Sequence, residues 1–473
     1  MRPVSLLRLN SVFALLAVFC LIDGCSLAPE YERPVLPVAD VYENDVSGHA
    51  SAQDSAYLIP GHEFYADETM QKLIDTAFAN NRDLRAALLN VERIRAQYRI
   101  QDADILPSLG VSAEYAAEHL PAALSRTGRE ATSRQYTMGL GFSAFELDVF
   151  GRVKNLSRAA LERFFSAEEE NKSARITLAS ETAALYLQLV ADRELYDLTQ
   201  STVALRQNEV NLIRTRSANG LASALESAQA ETLLHEARAQ LAARAVKTEQ
   251  DVNALELLLG AEIPRDIPET RRLAELRSLP DIPAGLPSDL IENRPDIRAA
   301  EHALIGAYAD IGAAKANFFP RIALTGSLGQ VSVELSSLWK GSSAVWSFMP
   351  QVTLPLFDAG RNKALLKMSE ADRDIAVNRY EKAVQSAFRD VRDALAQRRH
   401  IEEQTNAQEA LAKACKDTYD YAMSRYAAGL SSFADVLDAQ RTLFSAQQGL
   451  VAVRLLRESN ALNLYKALGG GWQ

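Results

Sequence analysis

The sequence is poor in the residues that carry chemistry. Three cysteines and six histidines occur in 473 residues, and the histidines, at 49, 62, 119, 235, 302 and 400, are scattered. No H-E-x-x-H, no P-loop and no G-x-S-x-G is present, so zinc hydrolysis, nucleotide-driven work and α/β-hydrolase chemistry have no motif to rest on. His62-Glu63 and Glu301-His302 are isolated pairs and read as solvated. Six methionines make no Met-rich metal path, and no cofactor or enzyme activity is expected. Basic charge is short as well: the net charge is −10. A nucleic-acid partner needs a basic face to neutralise phosphates, so that class is disfavoured. What remains is 48% hydrophobic and 24% charged, the composition of an ordered chain.

The apolar run Ser11 to Ile22 has twelve residues, with Ser11 its one polar member. A helix that spans a bilayer needs about 20. Arg2 and Arg8 flank the start of the run, so residues 1–24 read as an export signal. The run ends in Leu21-Ile22-Asp23-Gly24-Cys25, which resembles a bacterial lipoprotein signal. That resemblance implies that Cys25 becomes the lipidated first residue and that Ser26 fits outer-membrane sorting. Asp23 stands where such signals carry a small or apolar residue, so a free Cys25 beside an ordinary cleavage site stays open. Cleavage removes Cys20 and leaves Cys25 and Cys415. Lipid on Cys25 would rule out a disulfide within the chain.

The strongest signal is internal repetition. TRSANGLASALESAQAETLL at 215–234 aligns without gaps on SRYAAGLSSFADVLDAQRTL at 424–443, an offset of 209. Gly220 meets Gly429, Ser223 meets Ser432 and Leu234 meets Leu443. Earlier in each half the offset is 213, pairing Asp83 with Asp296, Ala103 with Ala316 and Pro107 with Pro320. Two constant offsets with glycine and proline in register make a tandem repeat. The expected organisation is a tether over 25–66, a first repeat over 67–260, a Pro-rich linker over 261–287 and a second repeat over 288–473.

Each repeat reads as helix, β-hairpin, very long helix and shorter helix, a mainly α chain with a small β part. Asp67 or Thr69 caps a first helix that runs to about Ile105. Period-two alternation gives strands over 109–117 and 136–147, with Met138, Leu140, Phe142 and Ala144 on one face. A weaker strand covers 322–330. In the fourth, Trp346, Phe348, Val352, Leu354 and Leu356 oppose Ser347, Gln351 and Thr353. The helical patterns 152–218 and 361–428 are each roughly 100 Å long at 1.5 Å per residue. Val384, Phe388, Val391 and Leu395 form a coiled-coil seam. Gly220 and Gly429 read as left-handed helix stops, with Ser223 and Ser432 opening the next helices.

Strands of about ten residues match a tilted transmembrane β-strand. Four alone leave unpaired edges in lipid, and known barrels start at about eight strands. Either the sheet is soluble and half-buried, or it closes with strands of other subunits, three of which would supply twelve.

FELDVFGR at 145–152, LPSDLIENRPDIRAAEHAL at 286–304, ANFFPRIALTGSLG at 316–329, NLYKALGGGW at 463–472 and CSLAPEYERP at 25–34 together resemble the TolC-type outer-membrane factors, in their OprM-like lipoprotein branch. The resemblance covers essentially the whole mature chain. It implies a homotrimer with a twelve-stranded β-barrel in outer-membrane lipid and a twelve-helix coiled-coil α-barrel crossing the periplasm of a Gram-negative bacterium. It implies an exit duct for drugs and other small molecules, served by a periplasmic membrane-fusion adaptor and an inner-membrane transporter, usually of the proton-driven RND type. It also implies that Asp435 and Asp438 are acidic constriction positions of a periplasmic gate, that Arg441 is a nearby basic position, and that Gly220 and Gly429 lie at the adaptor-docking tip. Ala434 stands where the branch carries a bulky apolar constriction residue. The residues themselves keep plainer readings open. Ser432-x-x-Asp435 and Ser223-x-x-Glu226 have capping-box spacing. Asp438 and Arg441 form an i, i+3 pair, though the first half has Gln229 and Thr232 in their places. A lipoprotein that bridges envelope layers by coiled coils, without a pore, is the alternative function.

Overall fold

The computed structural model describes residues 26–35, 59–126, 128–264, 272–280, 282 and 291–470. The export signal, Cys25 and much of the Pro-rich linker lie outside the described residues. The elements run α1 (Gly61–Phe64), α2 (Glu68–Asn80), α3 (Arg82–Ala103), β1 (Gly110–Leu120), β2 (Ala131–Leu147), α4 (Arg152–Ala218) and α5 (Ala224–Leu259). After a 3₁₀ turn at Leu273–Glu275 follow α6 (Pro295–Ala316), β3 (Arg321–Ser332), β4 (Ala344–Thr353), α7 (Arg361–Ala427) and α8 (Phe433–Ala467). Among the described residues no helix is long and apolar enough to cross a membrane. The chain divides into two compact units. One comprises Met1–Val35, Val91–Ala167 and Ala299–Tyr380, the other Leu36–Asn90, Glu168–Arg298 and Glu381–Gln473.

The first unit holds the sheet, ordered β1-β2-β3-β4 and antiparallel throughout. Directly paired residues share a face. The register therefore puts Val111, Leu140, Leu328 and Trp346 on one side, with Phe142 and Phe348 beside them. Ser112, Gly139, Gly329 and Val345 lie on the other, with Thr325, Ser327, Ser347 and Gln351. Ser327 and Ser347 share a hydrogen bond of 2.7 Å across β3 and β4. The apolar face is open: Trp346 is 75% exposed, Val111 71% and Leu328 65%. Strict alternation fails once. The register shifts between Phe142 and Phe145, and Ala144 has φ 52°. Phe145, paired with Leu324, thus takes the apolar position expected for Ala144, whose N–H bonds Thr325 Oγ1. Leu354 and Leu356 lie beyond the end of β4.

The same unit shows how α6 packs on α4. Ser166 Oγ donates to the Ala299 carbonyl, His302 Nδ1 meets Glu162 at 2.8 Å, and Arg163 pairs with Asp310. Glu301 accepts from Tyr31 and, through two bonds, from Arg33. Glu301-His302 is therefore not the solvated pair that its isolation in sequence suggested. Residues 26–35, the start of the expected tether, are docked through Tyr31 and Arg33. Ala28 crosses Gly312 so closely that a Cβ there would sit 2.7 Å from its nitrogen.

In the second unit, Asp67 caps α2 by accepting from the backbone of Thr69 and Met70. The single helix expected to run to Ile105 is two. Asn81 is extended (φ −60°, ψ 128°), and its Oδ1 caps the next turn at Leu84 N. Its Nδ2 donates to the Leu258 carbonyl at 2.8 Å. The second repeat copies this joint with different chemistry. Pro295, which the 213 offset places on Arg82, opens α6 at the first helical position that proline favours. Arg294 Nη1 donates to the Ala467 carbonyl at 2.9 Å, and Ala467 is the 209-offset mate of Leu258. Phe64 is fully buried and stacks on Tyr465 with centroids 3.7 Å apart, an anchor of about 2–3 kcal/mol. Tyr465 Oη donates to the Ile59 carbonyl. Val384, Phe388, Val391 and Leu395 are buried, as their seam spacing predicts.

Candidate functional site

The candidate site is the end of the second unit where α4 turns into α5 and α7 turns into α8. Both turns are built alike. Gly220 and Gly429 adopt φ +72° and +74°, a region that costs other residues about 1–2 kcal/mol. A Cβ at either would meet nothing within 4 Å, so backbone conformation and not crowding calls for glycine. Leu221 N donates to Arg216 O at 2.8 Å and Leu430 N to Arg425 O at 2.9 Å, the paired closing bonds of a left-handed helix stop. Ser223 and Ser432 then open α5 and α8 with full capping boxes.

Asp435 is therefore a capping residue. Its carboxylate accepts from Ser432 N at 3.1 Å, and its own N–H donates to Ser432 Oγ at 3.3 Å. Asp438 and Arg441 are both exposed, and no ion pair joins them among the described residues, so the local i, i+3 pairing is not made. Ala434, Asp435, Asp438 and Arg441 line the exposed side of α8, whereas Phe433, Val436, Leu437, Gln440 and Leu443 are buried on the other. That buried side joins one apolar cluster with Val210 and Ile213 of α4, Leu233 and Leu234 of α5, and Cys415, Tyr419 and Tyr426 of α7. The Cys415 thiol is free. Arg216 lies over the Tyr426 ring at 4.8 Å and holds the end of α4 against α7.

Sequence reasoning missed the polar residues inside this cluster. Glu209 is 6% exposed, and its carboxylate accepts from Tyr419 Oη at 3.0 Å and from Gln440 Nε2 at 3.1 and 3.0 Å. Burial pushes it above the usual carboxylate range, against the opposing effect of those two donor residues and of Arg206. Arg206 is 3% exposed, donates to the Leu233 carbonyl, and is pushed below its usual range by burial. A signal was present: Arg206, Val210 and Ile213 are spaced four and three, so a charged residue sits on a seam position.

Two 67-residue helices turned by matched glycine stops into capped partners, and an open sheet that exposes one apolar face, are features of the long-helix membrane conduits. Residues 73–261 and 286–470, the two repeats, match the family described as Outer membrane efflux protein. The probable efflux pump outer membrane protein TtgC of Pseudomonas putida is 42% identical over 469 residues, covering 98% of this chain and 96% of TtgC. OprJ, an outer membrane protein of Pseudomonas aeruginosa, is 42% identical over 468 residues, 98% of this chain and 96% of OprJ. The open state of the MtrE outer membrane channel of Neisseria gonorrhoeae superimposes with a TM-score of 0.86 at 38% identity, over 95% of this chain and 99% of MtrE. The chain belongs to the outer membrane efflux protein family. It is the outer-membrane exit duct of an efflux pump, a transport protein rather than a pore-less bridge.

Proposed function

We propose that the duct is a homotrimer whose four-stranded sheets close into one twelve-stranded transmembrane β-barrel and whose long helices form a twelve-helix periplasmic α-barrel. The observation that carries this reading is the open sheet. Among the described residues both β1 and β4 have a free edge, and the exposed apolar face suits lipid only if those edges are paired by other copies. The repeat supports it independently. α6 packs on α4, but its repeat-mate α3 buries none of its residues and leaves Ile100 71% exposed. Met368 and Ile375 of α7, the offset mates of Ala159 and Ser166, are also exposed. A neighbouring copy that lays its α3 on α7 would repeat the α6–α4 contact. Gln97 and Asp372 are the mates of Asp310 and Arg163. The test is a cross-link between Gln97→Cys and Asp372→Cys by a short bismaleimide in a Cys415→Ser background. A dimer and trimer ladder is expected; a product confined to the monomer band refutes the arrangement.

The turn at Gly220 and Gly429 is the periplasmic tip in this reading, where the adaptor docks and where Asp435, Asp438 and Arg441 ring the closed pore. Three copies of an exposed, unpaired Asp438 around one axis would favour cations and repel anions. A periplasmic adaptor and an inner-membrane transporter of RND type complete the pump. Relatives are named for antibiotic, toluene and solvent efflux, which supports small organic molecules as cargo. Cys25 carries the lipid anchor; mass spectrometry of the mature N-terminus should find acyl chains that Cys25→Ser lacks.

A further inference from the structure

We propose that Glu209, Gln440 and Tyr419 form a proton-operated latch that ties the α4–α5 pair to the α7–α8 pair within one chain and closes when Glu209 takes up a proton. It rests on reading this end of the helices as the gated end. Glu209 is the meeting point of three helices. Tyr419 comes from α7 and Gln440 from α8, and all three side chains are at least nine-tenths buried.

The hydrogen bonding is one donor short. Gln440 Nε2 is shared between both carboxylate oxygens of Glu209, while Gln440 Oε1 is buried with no partner. An ionised carboxylate offers only acceptors. A protonated one supplies an O–H, so after a rotation of the amide the two groups can form a cyclic acid–amide pair. In it the Glu209 O–H donates to Oε1 and Nε2–H donates back to the other carboxyl oxygen.

The charged surroundings do not fix the ion. Arg206, one turn back on α4, gives its Nη1 to the Leu233 carbonyl of α5, and its contact with Glu236 of α5 is 3.9 Å. Arg441 of α8 acts on Arg206, and Tyr419 and Gln440 are the groups that α7 and α8 turn toward Glu209. Burial works in the same direction as the missing donor. The closed arrangement therefore binds the proton more tightly than separated helices with Glu209 in water. Acid closes the latch and rising pH loosens it.

The latch belongs to one of the two kinds of helix seam. The 209 offset maps Glu209 on Thr418, Tyr419 on Val210 and Gln440 on Glu231. None of these can rebuild the triad. In a ring of copies the seam inside each chain is latched and the seam between chains is not.

Infrared spectra of the intact protein in detergent, wild type minus Glu209→Gln, isolate the C=O stretch of protonated Glu209. The band should persist well above the pH at which exposed glutamates ionise and should be displaced in Gln440→Leu. A band that vanishes in the ordinary glutamate range overturns the proposal. Planar-bilayer currents across the same pH range should rise with pH, by up to tenfold per latch for each unit of pKa difference between closed and open states. Glu209→Gln, a neutral mimic of the protonated acid, should hold the low-current level and flatten the profile. A high-titrating band with an unchanged current profile in Glu209→Gln also overturns the latch. Asp438→Asn currents, recorded alongside, decide the gate reading separately.

Discussion

Asp435 and Asp438 sit three residues apart on the exposed side of α8, yet they should fail in different ways. Asp435 makes half of a capping box: Ser432 N donates to it at 3.1 Å. It also places a negative charge in the first helical turn. Asp435→Ala removes one exposed hydrogen bond, worth about 0.5–1.5 kcal/mol, and a dipole interaction of about 0.3–1 kcal/mol. Exposure favours the lower ends, so a local loss of about 1 kcal/mol per chain is expected. In hydrogen exchange that is a roughly fivefold loss of protection over the first turns of α8, with distant segments unchanged. Asp435→Glu should keep the protection, because Glu226 makes the same box at Ser223 with a 2.6 Å bond. Asp438→Asn removes a charge with no ion-pair partner. Protection should be unchanged, while the current grows and its cation preference falls. The reasoning is refuted if Asp438→Asn loses protection as Asp435→Ala does, or if Asp435→Glu fails to keep it.

Asn81→Ala removes the Leu84 cap and leaves the Leu258 carbonyl without its donor, so the assembly should lose about 1–2 kcal/mol per chain in denaturant titration. Gly260→Ala and Gly220→Ala both force a non-glycine residue to positive φ, but a Cβ at 260 would lie 2.5 Å from the Asn80 carbonyl oxygen, and at 220 it meets open space. Thermal unfolding should show Gly260→Ala clearly the more damaging; equal losses would show that packing there does not matter. Burial and the facing Asp192 raise the Asp251 carboxyl above its ordinary range, beyond what Lys247 offsets. An acid raised on folding contributes stability below its unfolded pKa and loses it as pH rises through the folded one. Asp251→Asn should therefore raise the melting temperature at neutral pH and leave it little changed in acid.

The long helices were legible to within one residue because their punctuation is chemical. Gly220 and Gly429 need left-handed backbone, Ser223 and Ser432 need the capping position, and the same offset carries both. The break at Asn81 was legible only in the other half. Asparagine is unremarkable in an apolar pattern, but its joint is marked by Pro295 one residue beyond Arg294, and the 213 offset carries that mark back to 82. The bulge at Ala144 left no such trace. Alanine at φ 52° is a local strain imposed by pairing with β3, and no one-strand pattern contains it. Asp435 was ambiguous for a physical reason: a helix start and an acidic ring both ask for a carboxylate there. Asp438 belongs to no cap and no ion pair among the described residues, so stability does not account for it.

The unequal halves fit the proposed assembly, in which a duplicated unit closes on copies of itself. Within one chain, α6 covers α4 through Ser166, Glu162 and Arg163, and those contacts are polar and specific. The corresponding positions on α7 are Ile375, Ala371 and Asp372, and α3 brings no buried residue to meet them inside the chain. The second surface is left unfinished where the first is complete. The same inequality recurs at the other end of the long helices. Glu209, Tyr419 and Gln440 join the two helix pairs of one chain, and their mates Thr418, Val210 and Glu231 cannot. A ring built from such chains has two kinds of seam that differ in polar bonding although their backbones repeat. Opening at the weaker kind keeps each chain's own pairs together, because Glu209 costs most to expose where it is already buried and bonded. Separation should therefore begin between copies, with the latched seam yielding later and at higher pH.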